Sequence, residues 1–220
     1  MANETKHNDS IIIGRCTCDD TVKYPFYWCE ELIEEANNIG FDVIDLKNEN
    51  FIEKKFSSLV ETQTPRFIFL NGPGDSISAY GFNKIPVITA NKNDYLLKGK
   101  IAHIISCFTA RFLAPFAMDK GCIGYIGYKD YFWIGSLDDD PKKDIISRMF
   151  KDPVNIASIS LIKGSSVEEA FFKSQETYNK KIEECRKKYF NPLTNADMRE
   201  YLKDIISSLI WNKKHQVYFS

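Results

Sequence analysis

Short apolar runs that alternate with amphipathic stretches are the feature that most restricts the fold of this chain. Residues 11–13 form an apolar, β-branched run ahead of an amphipathic stretch at residues 27–38, and residues 41–46 precede a second such stretch at 51–61. Short apolar runs bounded by turn residues predict strands, and apolar residues repeating every three or four positions predict helices. Strands that alternate with helices predict an α/β fold with a mainly parallel central sheet and flanking helices.

The same patterns divide the rest of the chain. Further strands are predicted at residues 66–70, 87–89 (a weak signal), 101–106, 121–127 and 156–162. Further helices are predicted at residues 109–120, in a short segment ending near 150, and at 166–188 and 195–211.

These elements predict a single domain over residues 11–220, with residues 1–10 loosely ordered and a helical C-terminal extension at about 165–220. The aromatic ending from Trp211 to Phe219 fits either an extra strand or an oligomer contact, so a homo-oligomer is one of the expectations.

Charge and hydropathy exclude several partners. The 29 Lys and Arg nearly balance the 30 Asp and Glu, so no nucleic-acid footprint is present. The first ten residues are polar and no apolar run is long enough to span a bilayer, so neither a signal peptide nor a membrane span is predicted. We therefore expect a cytoplasmic protein.

The cysteines are interpreted as thiols. A chain with 44% hydrophobic residues can build a core without disulfides. Cys16-Thr17-Cys18 lacks the second cysteine pair or nearby histidines of a structural zinc site. The sequence therefore predicts no metal and no cofactor.

Cys107 has the position of a reactive cysteine. It follows the predicted strand at 101–106 and precedes the predicted helix at 109–120, where a helix N-terminus would favour the thiolate. Gly72 and Gly74 follow the neighbouring strand and allow close backbone approach, as the donors of an oxyanion hole require. The simpler interpretations are that Cys107 is a buried structural cysteine and that Gly72-Pro73-Gly74 is an ordinary turn.

Three segments carry a resemblance to a known family. They are Phe67-Ile-Phe-Leu-Asn-Gly-Pro-Gly-Asp75, residues 96–110 with Ser106-Cys107, and Gly121-Cys-Ile-Gly-Tyr-Ile-Gly-Tyr128. Over roughly residues 11–131 the chain resembles the gingipain, clostripain and CHAT branch of the caspase-like cysteine peptidases. The resemblance implies a caspase-like three-layer sandwich. It also implies a Gly-His-Gly motif that carries the general base, and a nucleophilic cysteine after the next strand.

The chain departs from this family pattern at one position. Cys107 matches the nucleophile and Gly72 and Gly74 match the flanking glycines, but Pro73 stands in place of the general-base histidine. Proline has neither a titratable side chain nor a backbone N–H. His103 lies about 13 Å along the strand from Cys107, and His7 and His215 lie in terminal segments. None of the three is predicted to replace the base.

Two acidic residues are candidates for substrate binding. The resemblance implies an acidic residue in the specificity pocket of members that cleave after basic residues, and Asp20 is the candidate counterpart. Asp75 is assigned either to the substrate groove or to shaping its own loop, with the second role preferred.

Three functions follow as hypotheses. The preferred one is a pseudopeptidase that binds a peptide or protein and has impaired catalysis. The second is an active cysteine endopeptidase whose base comes from another residue or subunit, or whose natural histidine at position 73 was replaced. A nucleotide-binding α/β protein is the third, but residues 14–19 lack a glycine-rich phosphate loop and no P-loop lysine motif is found.

Overall fold

The computed structural model of the protein describes residues 9–220. Its strands are β1 (Ser10–Arg15), β2 (Asp42–Lys47), β3 (Phe67–Asn71), β4 (Ser78–Tyr80), β5 (Pro86–Thr89), β6 (Ile101–Ile105), β7 (Gly124–Tyr128) and β8 (Gln216–Phe219). Six of them form the central sheet in the order β2-β1-β3-β6-β7-β8. Within this sheet, β8 runs antiparallel to β7, and the other neighbouring strands are parallel. This confirms the predicted mainly parallel sheet.

Helices cover both faces of the sheet. They are α1 (Lys23–Ile39), α2 (Glu53–Gln63), α3 (Leu113–Asp119), α4 (Ser147–Ile162), α5 (Val167–Tyr189) and α6 (Ala196–His215). Side chains alternate along a strand, so Ile12 packs with Phe56 of α2 and Ala114 of α3. Ile13 lies in the opposite layer, with Cys29 of α1. The result is the predicted three-layer sandwich.

The strand predicted at residues 156–162 is wrong, because this segment is the second half of α4. Its order of apolar and hydroxyl residues imitates the alternation of a strand. Ala157, Ser158, Ser160 and Leu161 are nevertheless all buried, because α4 lies between α1 and α5 and presents several sides to protein. A short buried run cannot be assigned by periodicity alone.

Other boundaries differ in ways that affect the site. The helix after Cys107 was predicted from residue 109, but α3 begins at Leu113 and turns occupy the interval. The weak strand predicted at 87–89 is β5, which pairs with β4 in a separate two-stranded sheet rather than in the central one.

The C-terminal extension contributes to the core and to the sheet. Val167 and Ala170 of α5 are buried among side chains of the sheet, α6 packs on α5, and the aromatic tail forms β8 beside β7. Of the N-terminal residues 1–10, residues 1–8 lie outside the described part of the chain, and Ser10 is already part of β1. No helix within residues 9–220 is long and apolar enough to cross a bilayer.

The parallel strands bring their carboxyl ends to one edge of the sheet. Arg15 at the end of β1 pairs with Asn71 at the end of β3, and Asn71 pairs with Ile105 at the end of β6. The loops that follow these strands are therefore neighbours, which is where ligands bind in open α/β sheets.

Candidate functional site

A cleft of about 1010 Å³ lies at this edge of the sheet. Four loops line it, and they follow β1, β3, β6 and β7. The lining includes five of the six residues that the sequence analysis assigned to the site: Asp20, Gly72, Pro73, Gly74 and Cys107. The fold thus brings together residues that are far apart in the chain.

Cys107 is held in a strained turn at the end of β6. The next residue, Phe108, has a φ of 65°, which is unfavourable for a bulky side chain. Its N–H donates to the carbonyl of Asp130 (3.3 Å). Strained backbone of this kind often occurs at functional sites, and here it orients Cys107 at the cleft.

The environment of Cys107 favours the thiol over the thiolate. Burial raises the pKa of this thiol above its ordinary value, and the N–H of Phe132, which donates to the sulfur at 3.4 Å, only partly opposes that effect. The helix N-terminus expected to lower this pKa does not begin until Leu113. Because the field of a helix end falls off within one turn, that expectation was wrong.

The Gly72-Pro73-Gly74 loop abuts the Cys107 loop more closely than a plain turn requires. A Cβ at Gly74 would lie 2.7 Å from the Cβ of Ser106 and 3.1 Å from the carbonyl oxygen of Cys107. A Cβ at Gly72 would lie 2.4 Å from the carbonyl oxygen of Tyr80. Only glycine fits at either position, so Pro73 is presented at the cleft by a loop packed against Cys107.

The backbone N–H of Gly74 has no hydrogen-bond acceptor among residues 9–220. The carbonyl of Pro73 accepts from the Tyr80 N–H, and the Asp75 N–H donates to the Ser78 carbonyl, each at 2.9 Å, a pairing that leaves the Gly74 N–H unbonded. The N–H of Cys107 has no backbone acceptor in the same residues but interacts with the sulfur of its own side chain. A backbone donor placed beside a nucleophile can stabilise an oxyanion.

No histidine lines the cleft in the described part of the chain. His103 is buried under α4, where Nδ1 lies 2.8 Å from the hydroxyl of Ser158, and burial lowers its pKa to about 3. The imidazole of His215 stacks on Trp211 at 4.3 Å. His7 lies outside the described residues. An imidazole that could act as the base for Cys107 is therefore absent from the cleft lining within residues 9–220.

The two acidic candidates differ in placement. Asp20 lines the cleft, together with Asp139. Asp75 does not: its carboxylate accepts from the N–H groups of Ile77 and Ser78 and from the Tyr80 hydroxyl. Burial opposes ionisation of Asp75, but these bonds prevail and lower its pKa. Asp75 shapes its own loop, as preferred from the sequence.

The Cys16-Thr17-Cys18 segment follows β1 near the Gly72 loop. The Cys16 thiol is buried, and burial raises its pKa to about 12. Within residues 9–220, no group of three or more histidine, cysteine or acidic side chains could hold a metal ion.

One wall of the cleft, residues 131–136 after β7, was not predicted from the sequence. The side chain of Asn212 on α6 accepts from the Trp133 N–H (2.9 Å) and donates to the Trp133 carbonyl (2.7 Å). One side chain can reach both groups only if they face the same side, as in extended backbone. The signal available in the sequence was the run Tyr131-Phe132-Trp133 directly after a predicted strand.

The side chains of Phe132 and Ile134 pack against a buried cluster that includes Ile205 and Leu209 of α6, but their backbone groups do not bond to α6. The Phe132 N–H points at Cys107. In the described residues, the Phe132 carbonyl and both backbone groups of Ile134 have no hydrogen-bond partner. This wall therefore has unpaired backbone groups close to Cys107.

Comparison with known proteins supports the fold. The chain is similar to the crystal structure of the Arg-specific cysteine proteinase gingipain R, with a TM-score of 0.51 and 11% sequence identity. The match covers 79% of this chain and 43% of the length of that chain. No family model and no curated protein sequence matches. At this identity the likeness shows the caspase-like fold alone.

Proposed function

We propose that this protein is a caspase-like cysteine peptidase homologue with impaired catalysis that binds an extended peptide or protein segment in the Cys107 cleft. The observation that carries the proposal is that Pro73 lies on the loop packed against Cys107, while no histidine within residues 9–220 lines that cleft. In this proposal Cys107 occupies the position of the nucleophile, whereas Pro73 occupies the position of the base and cannot act as one.

Peptide hydrolysis needs a group that removes a proton from the nucleophile and later donates one to the leaving amine. Proline can do neither. The raised pKa of Cys107 also keeps the sulfur mostly protonated near neutral pH. A cleft with these properties can hold a substrate-like segment without cleaving it efficiently.

The cleft wall supports peptide binding. An extended segment that bonds to the unpaired backbone groups of Phe132 and Ile134 would satisfy backbone groups of both partners, as in other cases of strand addition. Tyr131 and Trp133 are about half exposed and offer aromatic contact area. Asp20 and Asp139 outweigh the positive charge of Lys23, which also lines the cleft and lies 4.0 Å from Asp139, so we infer a preference for segments that carry a basic side chain.

A second candidate function is an active cysteine endopeptidase whose base comes from another residue or subunit. The unbonded N–H of Gly74 favours it, because a backbone donor beside the nucleophile position is of use to a peptidase and not to a simple binding module. The same observation fits a recently inactivated peptidase or an engineered loss of a histidine at position 73.

Labelling with a panel of peptidyl acyloxymethyl ketones tests these alternatives. The unmodified chain, Cys107→Ala and Pro73→His are compared for covalent labelling and for turnover of matched fluorogenic peptides. We expect Pro73→His to label and cleave, because its imidazole would stand beside Cys107, and we expect little turnover by the unmodified chain.

Turnover by the unmodified chain that is lost in Cys107→Ala would reject the impaired-catalysis proposal in favour of the endopeptidase. If none of the three proteins labels and none binds the parent peptides in a fluorescence-polarisation titration, peptide binding in this cleft is rejected as well.

A further inference from the structure

Helix α6 holds the cleft wall at three points although it does not line the cleft. The Tyr201 hydroxyl donates to the Ser136 carbonyl (2.6 Å), and Nε1 of Trp211 donates to the Tyr131 carbonyl (3.1 Å). Between them, Asn212 bonds both backbone groups of Trp133. All the anchors come from one helix of the C-terminal extension.

Asn212 is the most restrictive of these anchors. Its side chain is fully buried, and a buried amide is costly unless it is hydrogen-bonded. Asparagine is also a poorer residue for a helix interior than alanine or leucine. The two bonds to Trp133 satisfy the amide, so the contact with the wall accounts for an otherwise unfavourable residue at this position.

The end of α6 that carries Asn212 is itself fixed to the sheet. Asn212 lies in the last turn of α6, and the chain continues directly into β8, which pairs with β7. The N–H of Lys129, just after β7, donates to the carbonyl of His215. The spacing between Asn212 and the start of the wall is therefore set by the sheet.

The opposite side of the wall faces the sulfur of Cys107. Trp133 turns its backbone groups to Asn212, and the neighbouring Phe132 turns its N–H to Cys107. Releasing Trp133 from α6 would let the wall move, and the contact between Phe132 and Cys107 would weaken with it.

We propose that Asn212 is a positioning residue for the cleft: by clamping Trp133 it fixes both the unpaired backbone groups of Ile134 and the Phe132 N–H at Cys107. This inference rests on the proposed function for its consequence, which is that peptide binding depends on a residue of α6 that does not touch the peptide. The clamp itself can be tested without a peptide.

Asn93 provides a matched control. It is also buried, its Oδ1 accepts from the Thr89 N–H (2.7 Å), and its Nδ2 donates to the Val87 carbonyl (2.9 Å). It thus makes the same kind of clamp on β5, outside the cleft. Asn212→Leu and Asn93→Leu each remove two side-chain bonds to backbone groups, and Asn93→Leu also removes a 3.3 Å bond to Glu53. Asn212→Ser serves as a smaller change if the leucine variant does not fold.

Two measurements are made on the full chain. Amide hydrogen exchange followed by mass spectrometry should become about tenfold faster at residues 131–136 in Asn212→Leu, and not in Asn93→Leu. The midpoint of the pH profile for alkylation of Cys107 by iodoacetamide should move to higher pH in Asn212→Leu alone, since the Phe132 bond that favours the thiolate is weakened. The negative charges of Asp19 and Asp130 raise the pKa of this thiol, and both residues are the same in every variant.

Equal exchange at residues 131–136 in the two leucine variants, or an unmoved alkylation midpoint, would overturn the positioning role. A separate titration with the peptides of the acyloxymethyl ketone panel tests the consequence. If the clamp is verified but no variant and no unmodified protein binds these peptides, the proposed function fails while the role of Asn212 in holding the wall stands.

Discussion

The backbone N–H of Phe132 points at the sulfur of Cys107 across 3.4 Å. A backbone donor stabilises negative charge on sulfur, but it has no proton that it can transfer and later recover. At this site the stabilisation of a thiolate and the transfer of a proton are therefore separated. The first is present in weak form, and no histidine of the described cleft is placed to supply the second.

Alkylation should reveal the protonated state of Cys107. Burial raises the pKa of this thiol, so its reaction with iodoacetamide should have a midpoint above the ordinary value of about 8.5. Pro73→His should lower the midpoint, since a nearby imidazolium favours the thiolate. Mass spectrometry distinguishes Cys107 from Cys18, the other partly exposed cysteine. A midpoint below the ordinary value in the unmodified chain would contradict this account of the site.

Gly74→Ala should destabilise the protein and disturb the cleft. The added Cβ would lie 2.7 Å from the Cβ of Ser106, and overpacking of this kind costs about 1–3 kcal/mol. We expect a lower urea midpoint and a loss of the acyloxymethyl ketone labelling gained by Pro73→His when the two changes are combined. Asn38→Ala, at an exposed position of α1, is the control. Unchanged stability in Gly74→Ala would mean that the two loops are not in contact.

His103 should make the protein sensitive to acid. Its pKa is about 3 in the folded chain and about 6.5 when unfolded. Below about pH 6.5 the imidazole of His103 binds a proton in the unfolded chain but not in the folded one. The free energy of unfolding therefore decreases as the pH falls from about 6.5 towards 3. At pH 5 the loss is about 2 kcal/mol. Urea titrations at about pH 7.5 and pH 5 should show this loss in the unmodified chain and in His215→Gln, and a smaller one in His103→Gln. Equal losses in all three would remove His103 as the cause.

Asp45→Asn should be strongly destabilising. The carboxylate of Asp45 accepts two hydrogen bonds, at 2.9 and 2.7 Å, from Arg15, whose side chain is 3% exposed. Removing the charge leaves the guanidinium buried without its counterion, which costs about 3–5 kcal/mol. Asp42→Asn, on the exposed side of the same strand, should change the urea midpoint little. A difference between the two variants of less than about 1 kcal/mol would contradict the burial of this ion pair.

Elements with a strong local signal were predictable. The apolar runs that become β1, β3 and β6 have turn residues on both sides, and their alternation with helices is sufficient to predict a parallel sheet. The segment at 156–162 was assigned to a strand because its local pattern fits one. Its environment between α1 and α5 made it a helix, and that environment is not encoded in the segment itself.

The candidate site was only half predictable. The carboxyl ends of parallel strands share one edge, so the nearness of Cys107 to the Gly72-Pro73-Gly74 loop followed from strand order, and the sequence already showed a proline on that loop. The pKa of Cys107 was not predictable, because it depends on how deeply the sulfur is buried and on where α3 begins.

The sequence by itself determined the layer order, the sheet direction and the chemical types of the residues at the edge of the cleft, because each of these follows from local periodicity or residue identity. Only the tertiary structure decided that residues 131–136 form a wall, that Asn212 holds it and that Asp75 turns away from the cleft. The physical reason is that these features are hydrogen bonds between residues distant in the chain or choices of loop direction, and packing fixes them after the strands and helices have formed.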